Sequence, residues 1–352
     1  MEFLRNAWYA AFWAQELKPG KLYPRTILSE PLVAFRKEDG TFSALTDICP
    51  HRFVPLHLGK LLPGDRIRCG YHGLEFEASG SCVHNPHGEG RIPANMRARS
   101  YPMIERHSIV WIWMGDGPAD ESKIPDFSVM EDGDELVRGR DYIKIDANYL
   151  LLADNLLDLT HANYLHEGIL GLPAHSDAKI TVEQRGNSQL YTGRVMKNVP
   201  IARLHDLLFK RDGEPIDMWN DITWDAPGCL ILTHGFARPN QPQTEGFEFR
   251  AVHLLTPESE TATHYLYGIA RPPVHDDSDV QKEVAETRRY VFEEQDKVVL
   301  EAQQRMFESG RGSSMKPVML PIDAASMRMR RLLDALIASE RNDMAVVGVE
   351  RC

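Results

Sequence analysis

Long apolar runs, closely spaced cysteine pairs and excess positive charge are all missing from this chain, and each absence excludes something. The longest apolar stretches, such as Tyr149-Leu150-Leu151-Leu152-Ala153, fall far short of the roughly 20 residues that cross a bilayer, so no membrane role is expected. The opening Met1-Glu2-Phe3-Leu4-Arg5-Asn6 has no basic segment followed by a long apolar one, so no secretory leader is expected and a cytoplasmic location is. The five cysteines, Cys49, Cys69, Cys82, Cys229 and Cys352, are odd in number and widely spread, which is not a disulfide framework. In a reducing compartment a well-spaced pair points instead to metal or redox use. Forty basic side chains against 51 acidic ones leave a formal charge of −11. That balance argues against nucleic-acid and anionic-membrane partners, which need a positive surface.

What is present reads as two globular domains in 352 residues, with 43% hydrophobic and 26% charged residues. From residue 30 to about 115, short strand-like runs alternate with turn signals. Pro31-Leu32-Val33-Ala34-Phe35 and Thr41-Phe42-Ser43-Ala44-Leu45 flank Asp39-Gly40 as a hairpin, and Glu75-Phe76-Glu77 and Ser81-Cys82-Val83 flank Ser79-Gly80. Ile109-Val110-Trp111-Ile112-Trp113-Met114 reads as a buried strand. This predicts a small all-β domain over 1–116 and a polar linker over 117–135. A second domain follows over 136–352. There, 148–166 is helical in composition, strands are expected between about 178 and 270, and further helices over 277–309 and 322–341. Strands bracketed by helices make this second domain α+β.

Cys49-Pro50-His51 is followed, after 17 residues, by Cys69-Gly70-Tyr71-His72. Two thiolates and two imidazoles can hold a tetrahedral zinc or a [2Fe–2S] cluster of the Rieske type. Structural zinc sites more often draw two thiolates from one loop. Here each loop supplies one Cys and one His, a division that suits a cluster with Cys₂ on one iron and His₂ on the other. Pro50 and Gly70 stand where tight turns are expected. His57, His84 and His87 lie nearby, but no spacing singles them out. With Arg52 after the first triplet and Gly73 after the second, the pattern resembles the Rieske proteins, which implies that Cys49, His51, Cys69 and His72 bind a [2Fe–2S] cluster.

A second constellation lies at Asn155, Asp158, His161 and His166. A mononuclear Fe(II) that activates O₂ takes two imidazoles and one carboxylate on one face and keeps other positions open. Asp158 and His161 would share a helix face. His166 lies five residues beyond His161, and the two converge only if the helix ends or carries a π-type irregularity there. The stretch resembles the Rieske oxygenase signature N-x₂-D-x₂-H-x₄-H. The resemblance implies that His161 and His166 bind iron, and that Asp158 links a neighbouring subunit's cluster histidine to the iron-binding one. For the third ligand, Asp296 falls in the apolar stripe of the 277–309 helix with Phe292, Val299 and Leu300, where a carboxylate is costly unless paired or metal-bound. Glu293 and Glu294 lie on more polar faces. The segment 294–299 also resembles the third-ligand helix of the family.

The likeness runs through the chain. Asn6-Ala7-Trp8-Tyr9, Cys82-Val83-His84-Asn85-Pro86-His87-Gly88, Trp219-Asn220-Asp221-Ile222 and Leu255-Thr256-Pro257-Glu258 are similar to the aromatic O-demethylase branch, which includes vanillate and dicamba demethylase oxygenase components. That branch implies a Rieske domain joined to a helix-grip-like catalytic domain. It also implies oxidation of a methoxy carbon on an aromatic acid with O₂, giving a phenol and formaldehyde. The electrons come from NAD(P)H through a separate reductase or ferredoxin, and the assembly is a homotrimer. Asn220, Ile222, Leu232 and His253 stand at substrate-pocket positions of the branch. Leu232 replaces an amide side chain there, so a different acid, or a different pose of its carboxylate, is expected. Three other readings stay open: other oxidations by a Rieske oxygenase, a Rieske electron carrier, and a zinc-binding module.

Overall fold

The computed structural model describes residues 2–274, 277–310 and 312–349. The chain divides into two compact units, one of residues 3–128 with 256–260, the other of 129–255 with the residues from 261 onward.

The first unit is all β. Trp8–Trp13 pairs antiparallel with the fully buried strand Ile109–Trp113, which also pairs with Met103–Arg106. Tyr23–Ile27, Glu30–Arg36, Phe42–Thr46 and Ser100–Tyr101 form a second sheet. Its central hairpin closes over Asp39-Gly40 as its turn signal predicts, with Gly40 at φ 86°. The third sheet, Lys60–Leu62, Arg66–Arg68, Glu75–Phe76 and Cys82–His84, carries the second Cys/His loop between its middle strands. At its centre the buried Glu75 carboxylate is satisfied by Arg66 at 2.8 Å and Arg68 at 2.8 Å. Residues 256–260 belong to this unit through backbone bonds: Leu28 N–H donates to Pro257 O and Ser29 N–H to Glu258 O, at 2.9 and 2.8 Å. Where composition reads as linker, two 3₁₀ turns, Glu121–Lys123 and Ser128–Met130, bury Phe127 and Met130 completely.

The second unit is a seven-stranded antiparallel sheet in the order Val137–Ile145, Ala262–Arg271, Phe247–Ser259, Cys229–Ala237, Ile216–Asp225, Gln189–Val199, Ile180–Arg185. Period-two alternation puts Leu190, Thr192, Arg194 and Met196 of one strand on the inner face. On this face Met196, Met218, Phe236 and Phe249 pack with Leu204 and Leu208 of the helix Arg203–Phe209 and with Val280 and Val284 of the helix Asp277–Arg289.

Two helices depart from expectation. The helix expected over 148–166 spans only Tyr149–Leu157, capped by Asn148, whose side chain accepts from Leu150 N–H at 2.9 Å. It stops because the Asp158 carboxylate turns back on its own backbone, accepting from Thr160 N–H at 2.8 Å and Thr160 Oγ1 at 2.6 Å. This local bond competes with the next helical turn. His161 therefore opens a separate 3₁₀ turn, His161–Asn163, and does not share a helix face with Asp158. The 277–309 segment is helical throughout but not uniform: Asp277–Arg289 and Lys297–Glu308 are α, and Tyr290–Asp296 between them is a π-turn. At the histidines the helix ends, one of the two alternatives expected there, and the π-type irregularity lies at the carboxylate instead. The last helix, expected over 322–341, runs Ala324–Val349.

Candidate functional site

The two Cys/His loops share one backbone design. In the first, Cys49 N–H donates to Val54 O (2.9 Å) and Phe53 N–H to Cys49 O (2.8 Å). In the second, Cys69 N–H donates to Leu74 O (2.8 Å) and Gly73 N–H to Cys69 O (3.1 Å). Each loop turns through a left-handed residue at the same place, Phe53 at φ 59° and Gly73 at φ 73°. These positions, not Pro50 and Gly70, carry the strained turn. Gly70 serves a close approach instead, because a Cβ there would stand 2.7 Å from Leu58 O.

Cys49 and Cys69 are buried and adjacent, while the rings of His51 and His72 meet edge to face at 4.6 Å between centroids. Burial pushes the Cys49 thiol up to about 11, with the backbone N–H groups of His51 and Arg52 pulling the other way. Those N–H groups favour a thiolate ligand once metal binds. His51 is open to solvent. A residue that sequence spacing did not single out, His87, bonds the His72 carbonyl through Nε2 at 2.7 Å. Two buried sulfurs on one side and two imidazoles on the other fit a [2Fe–2S] cluster with mixed ligands.

In the second unit His161, His166 and Asp296 each offer a ligand atom, all within 4.8 Å of one another. Asp296 Oδ1 lies 3.3 Å from His166 Nε2 and 3.8 Å from His161 Nε2. Both imidazoles are aimed by the far side of the ring. His161 Nδ1 meets Asp158 O at 2.6 Å. His166 Nδ1 meets Gln295 Oε1 at 2.9 Å, and the Gln295 amide is held the right way round by donating Nε2–H to Leu165 O at 2.8 Å. Protons on both Nδ1 atoms leave both Nε2 lone pairs facing Asp296, the arrangement a divalent cation requires. Asn155 Nδ2 donates to Asp296 Oδ1 at 3.2 Å. Asp296 is 2% exposed, while Glu293, which accepts from Tyr267 OH at 3.3 Å, and Glu294 are exposed. Of the stripe expected around it, Phe292 and Leu300 turn inward, but Val299 is 46% exposed because the π-turn widens the helix just before it.

A cavity opens beside these ligands, with about 600 Å³ of unfilled space counting its mouth. His161, His166, Asp296 and Asp158 line one part of it, and Arg194, Asn220, Leu232, His234 and His253 another. Leu156, Leu159, Met218 and Phe292 supply apolar wall. Three of the four expected pocket residues are here. Ile222 is buried on the same strand face but does not reach the cavity. Arg194, Asn220 and His234 are cross-strand partners in one row of the sheet. Arg194 and His234 were missed, though Arg194 carries a visible sign: it occupies an inward position in the Leu190-x-Thr192-x-Arg194-x-Met196 alternation. Gln295 was missed as well, and only its tertiary partner reveals it.

Residues 7–102 match the Rieske [2Fe-2S] domain, and residues 145–339 match the vanillate O-demethylase oxygenase C-terminal domain. The chain belongs to the Rieske non-haem iron oxygenases. It is 38% identical to the dicamba O-demethylase oxygenase component of Stenotrophomonas maltophilia, over 96% of this chain and 98% of that one. It is 35% identical to the toluene-4-sulfonate monooxygenase iron-sulfur subunit of Comamonas testosteroni, over 97% and 99%. A crystal structure of dicamba monooxygenase with non-heme iron and dicamba superposes with a TM-score of 0.82 at 35% identity, covering 97% of this chain and all of that one. This Rieske oxygenase is accordingly an oxidoreductase whose cofactors are a [2Fe–2S] cluster and a mononuclear iron, and it works as the oxygenase component of a multi-component system. No helix among its described residues is long and apolar enough to cross a membrane.

Proposed function

We propose that this oxygenase removes the methyl group of a methoxylated aromatic acid, with His161, His166 and Asp296 holding the iron and Cys49, His51, Cys69 and His72 holding the cluster. The observation that carries the reading is the pair of aimed imidazoles and the buried Asp296 opening on a cavity that Leu156, Leu159 and Phe292 help to wall. The likeness to the dicamba O-demethylase component, matched over nearly its whole length, agrees with it. Overall, Ar–O–CH₃ + O₂ + 2e⁻ + 2H⁺ gives Ar–OH + CH₂O + H₂O. The methyl carbon is hydroxylated, and the hemiacetal collapses by passing its hydroxyl proton to the departing phenoxide.

Bound at these ligands, the cluster supplies single electrons and the iron activates O₂. The rest falls to side chains. Asp158 O and Gln295 keep both Nδ1 atoms protonated, so neither imidazole turns away from the metal. Asn155 holds Asp296 Oδ1, and Asp158 stands beside His161 as the group that would join it to a cluster histidine of a neighbouring subunit. Leu156, Leu159 and Phe292 exclude water around the methoxy group. Asn220, Leu232 and His253 contact substrate, with Ile222 behind them.

Electrons come from NAD(P)H through a separate reductase or ferredoxin, for which the cluster loops offer a docking surface. His51 is exposed, and Phe53, Leu58 and Tyr71 around it are 75%, 64% and 62% exposed in the isolated chain. A head-to-tail homotrimer in the cytoplasm completes the reading, and sedimentation of the holoenzyme tests the assembly.

A panel of methoxybenzoates, assayed with O₂ and a reduced donor, should release formaldehyde in step with phenol. Ring-hydroxylated acid without formaldehyde would overturn the reading. A second chemistry, oxidation of a ring methyl on an aromatic sulfonate, is favoured by the toluene-4-sulfonate relative and would appear as a benzyl alcohol product.

A further inference from the structure

The wall of the cavity built by the sheet holds donors with no acceptor among the described residues. Arg194 is only 4% exposed, yet no carboxylate forms an ion pair with it among the described residues. Its Nε–H donates to Asn220 Oδ1 at 3.0 Å, and its Nη1 has no partner at all. Burial lowers its pKa to about 10, with Asp158 opposing the fall, so the guanidinium stays charged at neutral pH. A buried cation with no carboxylate in contact is costly to hold, and Asp158 acts on it only from a distance.

The neighbours extend the pattern. Asn220 uses both ends of its amide, accepting from Arg194 and donating Nδ2–H to His234 Nδ1 at 3.0 Å. His234 therefore carries its proton on Nε2. Burial raises the Tyr265 hydroxyl far above its ordinary range, so it remains an O–H and donates to His253 Nδ1 at 2.6 Å. That puts the His253 proton on Nε2, which has no protein partner. The sheet wall thus presents one fixed positive charge and two imidazole N–H donors with no acceptor opposite them. Leu232, in the neighbouring row, contributes only hydrocarbon.

We propose that Arg194 is the anchor for the anionic headgroup of the substrate, a carboxylate or a sulfonate, with His234 and His253 completing its seat. The assignment rests on the reading of the substrate as an aromatic acid and says where its charge goes. A planar guanidinium whose Nη1 has no partner suits an oxyanion headgroup, and cross-strand pairing with Asn220 holds it in place. Anchoring at the sheet wall leaves the opposite end of the ring for the ligand side of the cavity.

The test is calorimetric binding to the intact holoenzyme, without turnover, using ortho-, meta- and para-methoxybenzoate, the matching benzenesulfonates and the neutral benzamides. In the wild type at least one acid should bind far more tightly than its amide, and whether benzoate or sulfonate leads identifies the headgroup. Arg194→Met should weaken that acid on the order of 100-fold and its amide less than about threefold, while Arg194→Lys keeps part of the preference. Cluster absorbance and thermal melting confirm that each variant is folded. If Arg194 only balances Asp158, acid and amide lose affinity by the same factor, and the proposal is wrong. It is equally wrong if no acid outbinds its amide in the wild type, a result that needs no variant. Acids that bind through Arg194 yet yield no formaldehyde would sink the demethylase reading and leave the anchor standing.

Discussion

The cluster loops and the mononuclear site are solutions to the same task with different means. In the first unit, four ligands hang from two loops that close with the same pair of backbone bonds, and one histidine faces solvent. In the second, the ligands come from a 3₁₀ turn, the loop after it and a π-turn, and His166 and Asp296 are 1% and 2% exposed. The first site is shaped by its own backbone and reaches the surface at His51. The second is shaped by side chains far apart in sequence, since 129 residues separate His166 from the Gln295 that aims it. Local closure suits a site that must meet partners, and burial suits one that must exclude water.

The contrast can be broken in several places. Cys69→Ala should have the largest effect, removing the visible absorption of the cluster and destabilising the first unit by several kcal/mol, because metal binding there is folding energy. Retained colour would show that the loops do not depend on that sulfur. Asp296→Asn should do the reverse. Iron content falls to that of the cluster, the cluster spectrum is unchanged, and formaldehyde release drops by more than the about 100-fold expected of an outer partner. Gln295→Leu frees His166 to turn and should weaken the mononuclear metal by roughly 10–100-fold, read by competition with a chelator.

Acid should separate the units as well. His205 is completely buried, its ring lies 4.7 Å from Phe236, and neither ring nitrogen has a hydrogen-bond partner among the described residues. Burial, with His175 and Arg194 adding to it, lowers its pKa to about 3. The unfolded chain binds a proton there below about pH 6.5. The native state does not until about pH 3, so stability falls with pH through that window. The loss is about 2 kcal/mol between pH 7 and pH 5. His205→Leu should flatten this dependence in thermal melts, and an unchanged slope would assign the acid sensitivity elsewhere. The smallest effect is at Phe53, a bulky residue in left-handed backbone. Phe53→Gly should relieve about 1 kcal/mol of strain and leave the cluster spectrum alone. A loss of cluster would instead give the ring a packing role.

Legibility followed the same division. The two Cys/His loops could be read because their spacing is short and each closes on its own backbone, though the turn expected at Pro50 and Gly70 falls at Phe53 and Gly73. The hairpin over Asp39-Gly40 and the buried strand at Ile109–Trp113 were equally plain. The 148–166 helix was overextended because nothing in its composition, free of Gly and Pro, announces that Asp158 will fold back onto Thr160. Of the two ways the histidines could converge, the helix ends before His161, while the π-turn at the carboxylate was not foreseen. Arg194 was passed over because a single charged residue in a strand usually marks an outward position, and only pairing with Asn220 and His234 gives it a meaning.

The sequence alone determined what depends on neighbours a few residues away: the paired Cys/His loops, the two histidines after Asp158, the strand periodicity and the lack of any long apolar run. Tertiary structure decided which residue aims His166, which ring nitrogens carry protons, and which cation is buried without a carboxylate in contact. These outcomes depend on sheet register and on side chains more than a hundred residues apart, and no local pattern records distances set by packing.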